Sequence, residues 1–185
     1  EYCGTAYTGW QSQKDGRGVQ AALERALAAV AAARIGTIAA GRTDAGVHAT
    51  MQVVHFDVDA DRPITAWVRG VNSHLLPDIA VLWAQQAGEE CHARYAARAR
   101  HYTYLLANRP VRPALLAGRA GWYHRPLDVG AMVTALARLA ATGARTAELA
   151  THPGGADDPD PLHGAHQMID SRRVIRVGGD MESLI

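Results

Sequence analysis

The stretch Gly-Arg-Thr-Asp-Ala-Gly-Val-His, residues 41–48, joins two apolar runs with the composition of β-strands, residues 35–40 and 51–58. Its two glycines bracket Arg42 and Asp44. A carboxylate on a tight turn between strands has a position fixed by the scaffold, which favours chemistry there. Gly and Asp are also ordinary turn residues. From spacing alone, a plain hairpin loop with a solvated arginine is therefore an equally good interpretation.

Hydrophobic periodicity predicts a regular series of elements around this stretch. The elements are a strand over 1–7, a helix over 18–33, strands over 35–40 and 51–58, a helix over 63–75 and a strand over 79–84. This β-α-β-β-α-β order predicts an α+β fold of the ferredoxin-like type, with a mainly antiparallel sheet and helices on one face. The same topology serves many functions, so the fold alone does not identify one.

After residue 84 the sequence predicts further strands and a helix, and after residue 140 its composition changes. A further strand is predicted over 101–108, a short one at 122–123, and a helix that Asp128 caps. Residues 151–161 are rich in Pro, Gly and Asp, which predicts disorder, and 172–177 indicate only a weak strand. We therefore expect one domain over residues 1–140, followed by a disordered or aberrant tail over 141–185.

Composition limits the class of protein. Apolar residues make up 48% of 185 residues, which predicts a globular chain. The sequence has no apolar run of membrane-spanning length and no secretory signal, so we expect a cytoplasmic protein. Cys3 and Cys91 are predicted to be free thiols, because two cysteines make neither a disulfide framework nor a zinc site.

The net charge is only +1, but basic residues cluster locally. Arginine forks interleaved with aromatic rings suit phosphates and unstacked bases, so the cluster indicates RNA binding. A solvated basic strand edge is the alternative interpretation. The cluster consists of Arg94, Arg98 and Arg100 with Tyr95, Tyr102 and Tyr104.

Several separate motifs, taken together and in order, resemble the tRNA pseudouridine synthase A family over residues 1 to about 140. They are AGRTDAGVHA at 40–49, QVVHFD at 52–57, GWQ at 9–11, GVN at 70–72, DIA at 78–80, HAR at 92–94 and RHYTY at 100–104. The resemblance implies a pseudouridine synthase fold and an isomerase that converts uridine to pseudouridine in the anticodon stem-loop of tRNA, at positions 38–40. It implies a homodimer, with neither metal nor cofactor.

The resemblance also implies roles for individual residues. Asp44 matches the essential catalytic aspartate, which can act as a nucleophile or a base. Arg42 matches an arginine that helps to flip the base and pairs with the aspartate, and Tyr102 matches the aromatic residue against the target uracil. His48 and Arg94 are further substrate-binding candidates.

Departures from the family pattern set two further expectations. Cys3 stands where the family usually has Asp, and Leu76 where Pro is usual. The family's second half-domain has no counterpart in 141–185, so we expect a truncated or frame-shifted chain that is incomplete or inactive as an enzyme. A non-catalytic RNA-binding module of ferredoxin-like topology is the alternative function. A small-molecule enzyme is less well supported, since no Gly-x4-Gly-Lys phosphate loop is present.

Overall fold

A computed structural model of the chain describes residues 1–88, 90–141, 147–150 and 174–178. The chain divides into two compact units, residues 1–97 and 98–185, and each is described by itself. No helix in the described ranges is long and apolar enough to cross a membrane.

The first unit contains the predicted helices. Helix α1, Val19–Ala31, buries Leu23 and Leu27 on one face and ends where Ala32 adopts a left-handed conformation at φ +54°. The second helix consists of a π-helical turn, Ala66–Gly70, that runs directly into α2, Val71–His74. Both predicted helices are therefore confirmed in position.

The strands of the first unit are much shorter than predicted. β1, Ile38–Ala39, pairs antiparallel with β2, Val54–His55. The predicted strands 1–7 and 79–84 reduce to single antiparallel bridges, in which Tyr2 contacts Ala49 on one side and Ile79 on the other.

The first predicted strand is interrupted because its backbone turns towards the loop after residue 41. Residues Gly4–Ala6 form a 3-10 turn in place of extended chain. A Cβ atom at Gly4 would overlap the carbonyl oxygen of Val47, so the two backbones approach too closely for a side chain. This close approach, rather than strand pairing, sets the conformation of residues 4–6.

The core of the first unit lies between the helices and the paired segments. The second helix contributes Trp67 and Val71 to this core. Burial of a large apolar side chain stabilises the folded state by about 1.5–3 kcal/mol. The buried cluster consists of Tyr2, Trp10, Val19, Leu23, Ala26, Leu27, Ala31, Ile35, Trp67, Val71 and Ile79.

The second unit is a four-stranded sheet with the order β4-β3-β6-β5. β3, His101–Asn108, pairs in parallel with β4, Gly121–Tyr123, and antiparallel with β6, Val174–Gly178, which pairs antiparallel with β5, Ala147–Ala150. A second 3-10 turn, Ala114–Leu116, lies between β3 and β4. The predicted strands at 101–108 and 122–123 are confirmed.

Helix α3, Val129–Ala141, begins where it was predicted. Asp128 Oδ1 accepts the backbone N–H of Ala131 at 3.0 Å, as expected of a helix-capping aspartate.

The region predicted to be a disordered tail lies partly within the described residues. β5 and β6 occupy 147–150 and 174–178, and β6 overlaps the weak strand expected at 172–177. The rest of 142–185, including the Pro/Asp-rich run 151–161, lies outside the described residues, and the predicted domain boundary at residue 140 stays a prediction.

Candidate active site

Asp44 opens a tight turn on the loop between β1 and β2. Its carbonyl oxygen accepts the N–H of Val47 at 3.2 Å, and Gly46, the third residue of the turn, has φ +79°. A positive φ at this position strongly favours glycine, which explains the Asp-Ala-Gly-Val spacing. The Asp44 side chain is exposed.

Two buried aromatic residues of the core hold the residue next to Asp44. The Tyr2 hydroxyl lies 2.7 Å from Oγ1 of Thr43, and the backbone N–H of Trp10 donates to the Thr43 carbonyl at 2.9 Å. Tyr2 is 5% exposed and Trp10 is 3% exposed, and their ring centroids are 5.8 Å apart. Because both anchors are fixed by packing, the backbone that carries Asp44 is fixed with them.

Two glycines on the N-terminal segment let the loop lie close against it. A Cβ at Gly9, which has φ +102°, would lie 2.7 Å from the Thr43 carbonyl oxygen, and Gly4 meets Val47 as described above. The N–H of Gly46 donates to the carbonyl of Tyr7 at 3.2 Å. The loop is therefore held on both sides of Asp44.

Polar side chains complete the support of the loop. The N–H of Gly4 donates to Nδ1 of His48 at 3.2 Å, and Gln52 Nε2 donates to the Gly41 carbonyl at 2.7 Å. Half-buried His48 thus holds the loop through one ring nitrogen, a structural contact that its predicted substrate-binding role did not include.

Arg42 and Asp44 lie on the same loop but do not pair. In the part of the chain that the structure describes, their side chains form neither an ion pair nor a hydrogen bond with each other. The expected pairing of this arginine with the aspartate is therefore not found in the free chain. Both side chains are exposed, so the guanidinium and the carboxylate are accessible to an incoming ligand.

The remaining two candidates lie on different units. Arg94 is exposed in a turn of the first unit. Tyr102 lies on β3 of the second unit, in register with Val177, and is 51% exposed, which argues against a core tyrosine. The structure groups Asp44, Arg42 and His48 on one loop, and it describes Tyr102 only within its own unit.

Sequence reasoning missed the groups that support the loop. Tyr2 and Trp10 were noted only as parts of a strand and a motif, because their contacts with Thr43 span 41 and 33 residues of sequence. The Tyr7 hydroxyl donates to Asp78 Oδ1 at 2.7 Å, and nothing in the spacing indicated this pair. Burial and then this hydrogen bond raise the pKa of Tyr7.

The described part of the chain has no group of three or more His, Cys, Asp or Glu side chains placed to hold a metal ion. We therefore assign no ligand set for a metal. Cys3 is half-buried with its Sγ 3.5 Å from Thr5 Oγ1, and Cys91 is exposed. Both are free thiols.

Comparison with known proteins gives a consistent result. A family model described as tRNA pseudouridine synthase matches residues 1–96, nearly the whole first unit. Three relatives bear the name tRNA pseudouridine synthase A. That of Dechloromonas aromatica is 61% identical over 139 residues, covering 75% of this chain and 53% of the relative. That of Chromobacterium violaceum is 59% identical over 140 residues, covering 75% and 53%. That of Thiobacillus denitrificans is 57% identical over 139 residues, covering 75% and 54%.

The chain spans about half the length of the curated relatives it matches. The family match covers more than half of the chain and includes the whole loop that carries Asp44. The resemblance found in the sequence motifs is thus confirmed, and the chain belongs to the tRNA pseudouridine synthase family.

Proposed function

We propose that this chain carries the catalytic loop of a tRNA pseudouridine synthase, with Asp44 as the catalytic carboxylate. The observation that carries the proposal is the anchoring of Thr43 by the core residues Tyr2 and Trp10, which leaves the adjacent carboxylate exposed on a rigid backbone. A carboxylate used in chemistry needs a fixed position and access to substrate, and this turn supplies both.

The reaction breaks the bond between the ribose and a ring nitrogen, rotates the uracil and rejoins it through a ring carbon. That carbon releases its proton and the freed nitrogen gains one, so the product is an isomer of uridine. A carboxylate can attack as a nucleophile or remove a proton as a base, and Asp44 is proposed to act in one of these roles. The target base must first leave the stack of the stem.

Three other side chains are proposed to bind the substrate on the same unit. Arg42, unpaired with Asp44 and exposed, presents a planar fork to the flipped nucleotide. His48, which also accepts the Gly4 N–H, is proposed to contact the substrate beside the loop, and Arg94 to contact the phosphate backbone. On the second unit, exposed Tyr102 is proposed to stack on the target uracil.

The finer topology proposed for the first unit is ferredoxin-like. Its support is the order in which the short strands contact one another. Tyr2, in the first predicted strand, bridges Ile79 of the fourth on one side and Ala49, just before the third, on the other. β2, which lies in the third predicted strand, then pairs with β1, which lies in the second. Every pairing is antiparallel, and these contacts support the order fourth, first, third, second that a β-α-β-β-α-β sheet has.

The proposed substrate is the anticodon stem-loop of tRNA, at positions 38–40, recognised mainly by backbone and shape. The relatives' name supports tRNA as the substrate class. A homodimer without metal or cofactor, working in the cytoplasm where tRNA is modified, completes the proposal.

A non-catalytic RNA-binding module is the competing function, and Asp44 separates the two. A binder of phosphates gains nothing from an exposed carboxylate on its binding loop, because like charges repel. Substitution of Asp44 should therefore abolish turnover in an enzyme and leave binding in a module unchanged or slightly stronger.

The test uses tritium release from uracil-labelled tRNA. Because this chain spans about half of its relatives, its residues 1–140 are joined to the remaining part of the Dechloromonas aromatica relative, and the 185-residue chain is assayed beside this chimera. Asp44→Asn should lower turnover of the chimera at least about a hundredfold and leave tRNA affinity within a few-fold. Asp61→Asn, an equal charge change at another exposed aspartate, should leave turnover unchanged.

Turnover near that of the parent chimera in Asp44→Asn would refute the assignment of Asp44. A parent chimera that binds tRNA without any turnover would favour the binding module.

A further inference from the structure

Three rings of the first unit pack in a row, here called the stack, in which one tilted pair is followed by one stacked pair. The ring centroid of His55, on β2, lies 4.6 Å from that of His92 with an angle of 58° between the planes, and His92 lies 4.2 Å from the ring of Tyr95 with an angle of 25°.

Backbone hydrogen bonds fix this stack. Nδ1 of His55 accepts the N–H of Ala93 at 3.1 Å, and Nδ1 of His92 accepts the N–H of Tyr95 at 3.2 Å. The N–H of Ala96 donates to the carbonyl of His92 at 2.8 Å, which closes the turn that carries Tyr95. Each histidine therefore holds the backbone of the next part of the stack, and the Tyr95 ring packs on the ring of His92.

The outer end of the stack is open. Tyr95 is 79% exposed, although its ring packs against His92 on one side. Arg94, the preceding residue, is exposed too. A rigid aromatic face beside a guanidinium suits an unpaired nucleotide, because the base stacks on the ring while the arginine pairs with phosphate.

We propose that the Tyr95 ring stacks on an unpaired base of the RNA, and that Arg94 contacts a neighbouring phosphate. The site recognises single-stranded nucleotides, since a paired base within a duplex has no free face to offer. It is distinct from the stacking proposed for Tyr102 on the target uracil. The inference rests on the proposed function for its RNA substrate class.

The position of the stack in the fold supports this use. β2, which carries His55, is the strand that leaves the catalytic loop and pairs with β1 on the other side of that loop. The stack and Asp44 therefore belong to one connected part of the first unit. An RNA bound at Asp44 by a flipped base can present an unpaired loop nucleotide to the same unit.

Binding of RNA to the 185-residue chain tests the proposal. The probes are a fluorescein-labelled oligouridylate of ten nucleotides and a duplex of the same length, measured by fluorescence anisotropy. We expect Tyr95→Leu to weaken binding of the oligouridylate roughly tenfold, the loss of one base stack, and to leave duplex binding unchanged. Tyr95→Phe should bind like the parent because it keeps the ring.

Two further variants sharpen the result. Trp83→Leu removes another exposed aromatic side chain, for which the described part of the chain shows no ring partner, and should leave binding unchanged. Arg94→Ala should reduce by about one the slope of log affinity against log salt, as the loss of one phosphate contact requires.

An oligouridylate containing 4-thiouridine should cross-link to Tyr95 on irradiation, as mapped by peptide mass spectrometry.

Equal oligouridylate affinity of the parent and Tyr95→Leu, or cross-links confined to other residues, would overturn the inference. Turnover that still depends on Asp44 in the chimera would leave the proposed function standing in that case. If Tyr95→Leu leaves RNA binding unchanged but alters the oligomeric state, the stack is a protein contact instead. A parent chain that has no affinity for either probe would also refute the proposal.

Discussion

Gly9→Ala places a methyl group directly against the backbone of the loop that carries Asp44. The added Cβ would lie 2.7 Å from the carbonyl oxygen of Thr43 and 3.2 Å from the carbonyl carbon of Asp44. Ordinary contacts of this kind are several tenths of an ångström longer, and both neighbours are backbone atoms that no side-chain rotation can move aside. The loop or the N-terminal segment must therefore shift.

Two costs add at this position. A side chain at φ +102° adopts a backbone conformation that costs about 1–2 kcal/mol. The displacement also strains the hydrogen bond from Trp10 to Thr43, so we expect a total loss of about 1.5–3.5 kcal/mol in the free energy of unfolding. A shift of Asp44 by a fraction of an ångström to one ångström should lower turnover about a hundredfold.

Gly16→Ala is the matched control. Gly16 also has a positive φ, at +70°, but a Cβ there would meet no atom within 4 Å. This variant should lose only about 1–2 kcal/mol and keep full turnover. Stability is measured by urea denaturation of the 185-residue chain, and turnover by tritium release in the chimera at a temperature where every variant is folded.

The reasoning fails if Gly9→Ala and Gly16→Ala lose the same stability and both retain turnover. That result would mean that the contact between Gly9 and the loop does not constrain Asp44.

Three further predictions follow from the site. Tyr102→Leu should lower turnover more than tRNA affinity in the chimera, because the stack acts once the base is extruded; loss of affinity alone would contradict this. Arg42→Lys should also lower turnover strongly, since an ammonium group lacks the planar fork, and full activity would reduce Arg42 to a simple phosphate contact. Tyr7→Phe should cost about 1 kcal/mol by removing the hydrogen bond to Asp78, as measured by urea denaturation. The raised pKa of Tyr7 means that the unfolded chain loses this phenolic proton first, so stability should fall above about pH 10 in the parent and fall less in the variant; equal alkaline profiles would argue against the shift.

The helices were predictable because each carries its own signal. Leu23 and Leu27 recur at helical spacing on α1, and Asp128 caps α3 by a local contact three residues away. The short strands were predicted too long, because alternation in a sequence does not show where the chain leaves a sheet. At Gly4 the chain leaves it to meet Val47, which is distant in sequence.

In the candidate site, too, the sequence identified the residues but not their geometry. Asp44, Arg42 and His48 could be named from one contiguous motif, and Arg94 and Tyr102 from two others. The absence of an Arg42–Asp44 ion pair among the described residues could not be foreseen, since residues two apart on a turn point in directions that only the backbone conformation sets.

The sequence by itself determined the family, the catalytic-type loop and the positions of the helices, because motifs and periodicity are local. Only the tertiary structure decided how the loop is held. Tyr2 and Trp10 reach Thr43 across intervals of 41 and 33 residues, and the His55–His92–Tyr95 stack joins two segments 37 residues apart. Such contacts depend on the packing of distant segments around a common core, and no local pattern encodes them.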